Sequence, residues 1–255
     1  MPWPVDYASR QSQIEHNRGM KEYRVKSFAE LHQALGSHRK DAGWVYRGHA
    51  DPRWPLIPRA GRPPFADGHD QIFFKRWKVE ALQYVETGER PADDWNWLAI
   101  AQHHGFATRL LDWTAKPLAA AYFAVMEPGY GESVIWCFKT TNILSDLNSK
   151  TPFERSGITQ FTPTRVSGRV SRVIGLFTHH GPSTLSVKKG MTPADRLEKI
   201  VIEESYRTEL LFELNQYGIN GQTLFPNLVG LSRHFNWIMA EFDYWKEGLS
   251  GIKKS

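Results

Sequence analysis

The sequence predicts an α+β fold, a single compact domain with a mixed sheet and helices packed around it. Three observations lead there. β-Branched and aromatic runs at residues 44–46, 133–138 and 197–202 read as strands. Segments of helical periodicity separate them without the regular βα alternation of a doubly wound sheet. No internal repeat and no linker-like stretch divides the 255 residues, which suffice for one substantial core.

Along the chain, residues 1–20 are polar and aperiodic and read as a flexible lead-in to a domain spanning 21–245, with 246–255 as a basic tail. Residues 23–26 suggest a short strand. Ser27 and Glu30 then form a capping-box pattern ahead of Phe28, Leu31 and Leu35, which share one helical face, with Gly36 as the stop. The strand at 44–46 ends at Arg47-Gly48. Pro52, Pro55, Pro58, Pro63 and Pro64 exclude regular structure from 50–69 and imply a long surface loop. Asp70 opens a helix whose inner face carries Phe73, Phe74, Trp77, Ala81, Tyr84 and Val85. Asp93 or Asp94 caps the next, with Trp97, Leu98, Ala101 and His104 on one side and Gly105 as its terminator.

Thr114 caps a third helix with Pro117 in its first turn, an inner face of Leu118, Ala121, Tyr122 and Val125, and Pro128-Gly129 as its end. Residues 133–138 form a strand, 140–164 read as loop, and 170–178 and 197–202 as further strands. A helix over 205–217 closes at Gly218. Pro226 begins the last, whose inner face is Leu228, Leu231, Phe235, Ile238, Met239 and Phe242.

A net charge of +5 is compatible with an anionic partner. Cys137, the single cysteine, excludes an intrachain disulfide and a cysteine-based zinc site and suits a reducing compartment. The N-terminus lacks a cationic segment followed by an apolar run, and no stretch reaches the ~20 apolar residues of a membrane span. The expected location is the cytoplasm, with no membrane partner.

Several chemistries lack their residues. There is no Gly-x-Ser-x-Gly, no phosphate-binding glycine loop of either common type and no His-Glu-x-x-His. The pairs His103-His104 and His179-His180 cannot each converge on one ion, because helix neighbours diverge by ~100°; no metal site is expected. Two segments remain. Arg47 can grip a phosphate or carboxylate bidentately, and Gly48 beside it leaves room for an anion. His103, His104, Gly105, Thr108, Arg109, Asp112, Trp113 and Thr114 lead directly into a helix N-terminus, whose free N–H groups favour anions. Both segments read equally as an ion-pair network in which Arg47 meets Asp112. His103 can serve as a hydrogen-bond donor or general base. Arg165, Arg169 and Arg172, with ten tryptophans in the chain, leave a nucleic-acid surface as an alternative.

The residues Tyr46-Arg47-Gly48, Trp54-Pro55-Leu56-Ile57-Pro58 and the run from Gln102-His103-His104-Gly105 to Asp112-Trp113-Thr114, followed by Ala121-Tyr122-Phe123-Ala124, resemble the FRG domain family. Gly175 to Thr178 and Leu224 to Gly230 resemble two later motifs, so that the likeness runs over 23–240. A more distant resemblance, in the order of Arg47-Gly48, residues 108–114, the alanine-rich helix and residues 133–138, is to ADP-ribosyltransferase folds. It implies a nucleotide-type pocket with NAD as a substrate, Arg47, Gly48, His104, Thr108, Arg109, Trp113 and Thr114 as binding residues, and His103, Asp112 and a glutamate as catalytic ones. The strand at 170–178 lacks that glutamate, leaving Glu203, Glu204 and Glu213 as candidates, with Glu213 chosen. The implied roles are an NAD-consuming effector of the toxin or phage-defence kind, a non-catalytic ligand-sensing or protein-interaction module, or a nucleic-acid-binding protein.

Overall fold

The computed structural model describes residues 20–127, 131–147, 150–163 and 175–241. The lead-in at 1–19, Pro128-Gly129, residues 170–174 of a predicted strand, Arg165, Arg169 and Arg172, Phe242 and the tail at 246–255 lie outside the described residues.

Among the described residues the strands are β1 (Glu22–Val25), β2 (Val45–His49), β3 (Leu110–Trp113), β4 (Ser133–Lys139), β5 (Gly157–Phe161), β6 (Leu176–Gly181) and β7 (Arg196–Ile202). The helices are α1 (Phe28–Ala34), α2 (Asp70–Ala81), α3 (Asp94–His103), α4 (Pro117–Val125), α5 (Val187–Gly190), α6 (Arg207–Gln216), α7 (Gly221–Leu224) and α8 (Leu228–Ala240). The strands form a four-stranded sheet in the order β1-β7-β4-β2 and a three-stranded sheet in the order β3-β6-β5. All pairings are antiparallel except β1 with β7, so the expected mixed sheet is the larger of two.

Side-chain alternation turns these sheets into layers. Tyr46, Ile135, Cys137, Ile200 and Ile202 point from the larger sheet into a core shared with α1, α4 and α6. Val45, Val134, Trp136, Phe138 and Leu197 point the other way, against Leu111, Trp113 and Ile158 of the smaller sheet. Leu110, Phe161 and Phe177 face outward again, onto Phe74 of α2 and Trp95, Leu98 and Ala101 of α3. The result is helices, sheet, sheet, helices: an α+β domain.

Two contacts hold the layers in register. Edge strands β2 and β3 meet at one antiparallel bridge, Tyr46 N to Thr114 O at 2.8 Å and Thr114 N to Tyr46 O at 2.9 Å. On the far side of β2, α4 lies almost against the strand backbone. A Cβ on Gly48 would sit 2.0 Å from the Ala120 carbonyl oxygen and 2.5 Å from Ala124 N. Glycine on the strand and alanines on the helix permit that approach.

Several elements differ from expectation. Strand β2 runs through Arg47-Gly48 to His49, because β4 supplies ladder partners along its whole length. Strand β5 lies within a segment that reads as loop. It is short, and its neighbour β6 is 14 residues further on across a low-periodicity stretch. Thr114 does not cap α4. Its Oγ1 accepts from Lys116 N at 3.1 Å, and the helix begins one residue later at Pro117, with Lys116 at the N-cap position. Ser27 does cap α1, but Glu30 returns its bond to Lys26 N. Asp93 caps α3 through Asn96 N, and Gly105, with φ +85°, ends it in the left-handed region as the sequence predicts. Phe73 of α2 and Leu228, Phe235 and Met239 of α8 face solvent instead of the core, Leu228 being 79% exposed. Among the described residues no helix is long and apolar enough to cross a membrane.

Gly48→Ala drives a methyl into the α4 backbone, which has no side chain to move aside. It is expected to lower the unfolding free energy by about 3 kcal/mol, the upper end for overpacking, as a reduced urea midpoint with unchanged m-value.

Candidate functional site

The polar centre lies where β2 and β3 part beyond the Tyr46–Thr114 bridge. Two residues before Thr114, the Asp112 carbonyl has no strand opposite it. Arg47 fills that gap, its Nη1 donating to Asp112 O at 2.8 Å, while its Nε donates to Nε2 of His49 at 2.8 Å. Nη1 also lies 3.7 Å from the Asp112 carboxylate, which is 55% exposed against 22% for the arginine side chain. The guanidinium is thus fixed on two sides and open on the third: among the described residues Nη2 donates to no protein acceptor. Burial presses its pKa below the ordinary guanidinium value, with Asp112 pulling the other way.

Asp112 is in turn positioned by Gln102, whose Nε2 donates to Oδ2 at 2.9 Å and whose Oε1 accepts from Thr108 Oγ1 at 2.5 Å. Thr108, fully buried, accepts from Leu110 N at 3.1 Å. This relay ties the end of α3 to the start of β3.

The proline-rich segment completes the cluster. Ala60 N donates to Thr108 O and Arg59 Nη1 to Gly105 O, both at 3.0 Å, folding residues 59–62 over the α3–β3 turn. Arg62 therefore stands close enough to Arg47 and to Arg59 that their charges reinforce burial in lowering its pKa, against the pull of Asp112. His49 is held neutral, at about 3, by burial first and then by Arg47 and Arg62. Behind it a buried chain runs from Trp113 Nε1 to Thr178 Oγ1 and on to His180 Nε2, each at 2.9 Å, and ends where His180 Nδ1 donates to Leu185 O at 2.6 Å.

Of the residues read from sequence, Arg47, Thr108 and Asp112 come together here, and His103 follows Gln102 at the end of α3. His103 and His104 are exposed, their rings edge-on at 5.1 Å, and burial followed by His104 lowers the His103 pKa. The remaining positions do other work. Gly48 points away from the arginine cluster, into α4. Trp113 is buried between the sheets, and Thr114 forms the bridge. Arg109 points to the opposite side of β3. It makes a bidentate pair with Asp70 at 2.8 and 2.9 Å, donates to Pro152 O at 3.3 Å and covers the Phe153 ring. Asp70, which opens α2 as expected, is also the buried partner of this arginine. Glu213 accepts from Tyr206 OH at 2.5 Å in the α6 layer. Tyr206 belongs to the core on the other face of the larger sheet, so that sheet separates Glu213 from Arg47.

Arg59, Arg62 and His49 escape sequence reading, whereas Gln102 stands in the family-like run without a role and His180 in a pair weighed only as metal ligands. Arg59 and Arg62 stand three apart in a segment whose prolines forbid regular structure, so no periodicity places them. Cys137 is buried in β4, and burial, with a smaller contribution from Glu198, pushes its thiol pKa up, as suits an inert core residue.

The fold is thus an α+β domain whose sheet seam carries an arginine-centred polar cluster. Residues 42–132 match the FRG domain model. The matched stretch spans β2 to α4 and contains Arg47, Arg59, Arg62, Gln102 and Asp112. The later motifs at 175–178 and 224–230 fall beyond it. Comparison with curated proteins and with solved structures returned no match.

Arg109→Ala leaves the Asp70 carboxylate buried without its cation and is expected to cost about 3–5 kcal/mol of stability, measured by urea unfolding. A second outcome concerns pH. Burial, the first cause in each case, holds His49 and His179 at about 3 and His180 at about 4. The unfolded chain protonates these side chains near 6.5, where the folded protein does not. Stability therefore falls as pH drops from 6.5 toward 4, by roughly 1.4 kcal/mol per pH unit for each histidine. His49→Gln, which keeps an acceptor for Arg47 but cannot titrate, should remove one histidine's share of the slope in urea midpoints between pH 7 and 5.

Proposed function

We propose that the seam is a nucleotide-binding site of the NAD type, with Arg47 as the phosphate anchor. The observation that carries this reading is the state of the Arg47 guanidinium. It is oriented by two hydrogen bonds, partly open to solvent, and beside Arg62, with Asp112 as the adjoining carboxylate. A phosphate placed there would accept a charge-assisted pair of bonds from an arginine whose orientation is already fixed, so little entropy is lost on binding. The order of an arginine-bearing strand, a second strand and an alanine-rich helix, distantly similar to ADP-ribosyltransferases, supports the same ligand class.

Asp112 is the group on which turnover would depend. Cleavage of the nicotinamide–ribose bond sends the electron pair out with nicotinamide and leaves positive charge on the ribosyl carbon, which water or another acceptor then attacks, losing a proton. A carboxylate fixed beside that carbon stabilises the transition state. Gln102 and Arg47 fix Asp112 while leaving it half exposed. His103, the chain neighbour of Gln102 at the end of α3 and kept toward its neutral form, is the group suited to take up the acceptor's proton. An NAD-consuming effector and a ligand-sensing module differ in whether Asp112 acts on what Arg47 holds.

Thermal unfolding with millimolar NAD or ADP-ribose separates these readings. Binding raises the melting temperature, and at a ligand concentration 100 times the Kd the gain is about 2.7 kcal/mol. Arg47→Ala should abolish the shift. Nicotinamide release that falls by about 100-fold in Asp112→Asn, with the shift retained, identifies a consumer of NAD. A retained shift without release identifies a sensor. No shift with either ligand overturns the nucleotide reading.

A further inference from the structure

Helix α8 meets the domain along one narrow side. Gly230 is its only buried residue, set so close that a Cβ there would lie 1.9 Å from the Phe225 carbonyl oxygen. Two turns on, the Trp237 ring packs against that of Phe212 at 5.2 Å. Beside this line runs a second, Leu228, Leu231, Phe235 and Ile238, spaced three, four and three apart. With Met239 they make a stripe about 100° wide, which is what an amphipathic helix ordinarily buries. Here it faces solvent: Leu228 is 79% exposed, Met239 68% and Phe235 54%, with Val229 exposed beside them. That is an apolar patch on the order of the largest that a typical monomer shows, about 300–600 Å², and such patches are often functional.

What covers the stripe follows from its charge. Of the 13 residues of α8 only Arg233 carries a formal charge, and its guanidinium lies off the stripe, 5.2 Å from the centre of the Phe225 ring. The positions flanking the stripe are Ser232, Asn236 and His234, which burial holds toward its neutral form. A partner of different sequence is selected by charges flanking such a seam, and identical helices are kept apart by like charges there. This stripe has neither device. Its spacing also matches itself. About a two-fold axis crossing the helix near Arg233, two copies run antiparallel with their dipoles opposed, Leu228 against the partner's Ile238 and Leu231 against the partner's Phe235. We propose that the exposed side of α8 is a homodimer interface, in which it packs antiparallel on α8 of a second copy of this chain. A strip about 20 Å long is smaller than the ~800 Å² per partner of a standard interface, so the dimer is a reversible one. The inference is independent of what Arg47 binds.

Sedimentation equilibrium of the full chain is the test. Between about 1 µM and about 200 µM the average mass should rise from the 29.3 kDa of one chain toward twice that value, with a Kd of about 1–100 µM. Salt at about 0.5 M should not weaken the association, because an apolar seam has no ion pairs to screen and each copy carries a net charge of +5. Leu228→Glu and Phe235→Glu put charge into the seam at exposed positions; each should keep the parent's circular dichroism and stay monomeric throughout. Val79→Glu, on the exposed side of α2, should dimerise like the parent. Ser232→Cys, beside the two-fold axis, should form an intermolecular disulfide on mild oxidation, whereas the parent, whose one cysteine is buried, should not. A parent that is monomeric at the top of the range overturns the proposal and leaves the stripe to a different protein or to residues 242–255 of the same chain. Dimerisation that persists in both α8 variants, or is lost in Val79→Glu, overturns it by placing the contact elsewhere. A Ser232→Cys protein that dimerises without crosslinking overturns the antiparallel arrangement.

Discussion

Two hydrogen bonds between Tyr46 and Thr114 join the sheets, and the polar cluster exists because the join stops there. Had β2 and β3 continued to pair, the Asp112 carbonyl would have taken a backbone N–H. The strands instead part after one bridge, and a side chain has to satisfy the carbonyl. Arg47 does so, and in doing so its guanidinium is held at the mouth of the gap. The position of the arginine follows from the accounting of backbone hydrogen bonds before any ligand is considered.

The same strand sets up both faces of the domain. Tyr46 and Gly48 face the helices, whereas Val45, Arg47 and His49 face the second sheet. Gly48 brings α4 against β2.

Much of the fold is legible in the chain, and what is not has physical causes. Strands of β-branched and aromatic residues, the Asp93 cap and the Gly105 terminator are local properties, readable where they stand. The division into two sheets is not local: it depends on β6 pairing with β3 across 60 residues or so of intervening chain, an order of separation at which no sequence pattern specifies a partner. At the site, Arg47 and Asp112 can be read because each stands in a motif and each carries charge. Arg109 is equally prominent but points to the other face of β3, a distinction that alternation imposes and that needs the strand's register to see. Arg59 and Arg62 reach the cluster only through the folding of an aperiodic loop, and Glu213 is excluded from it only by the sheet in between.

The alternation along β3 has a consequence for how the site could change over time. Leu110, Leu111 and Trp113 are anchored in cores, Thr108 and Arg109 in buried hydrogen bonds, and only Asp112 in this stretch is substantially exposed. A lineage could therefore replace Asp112 and keep the fold, whereas its neighbours are locked by packing. The long shared motif would then persist in chains whose chemistry had been altered or silenced, preserving the appearance of a common activity in its absence.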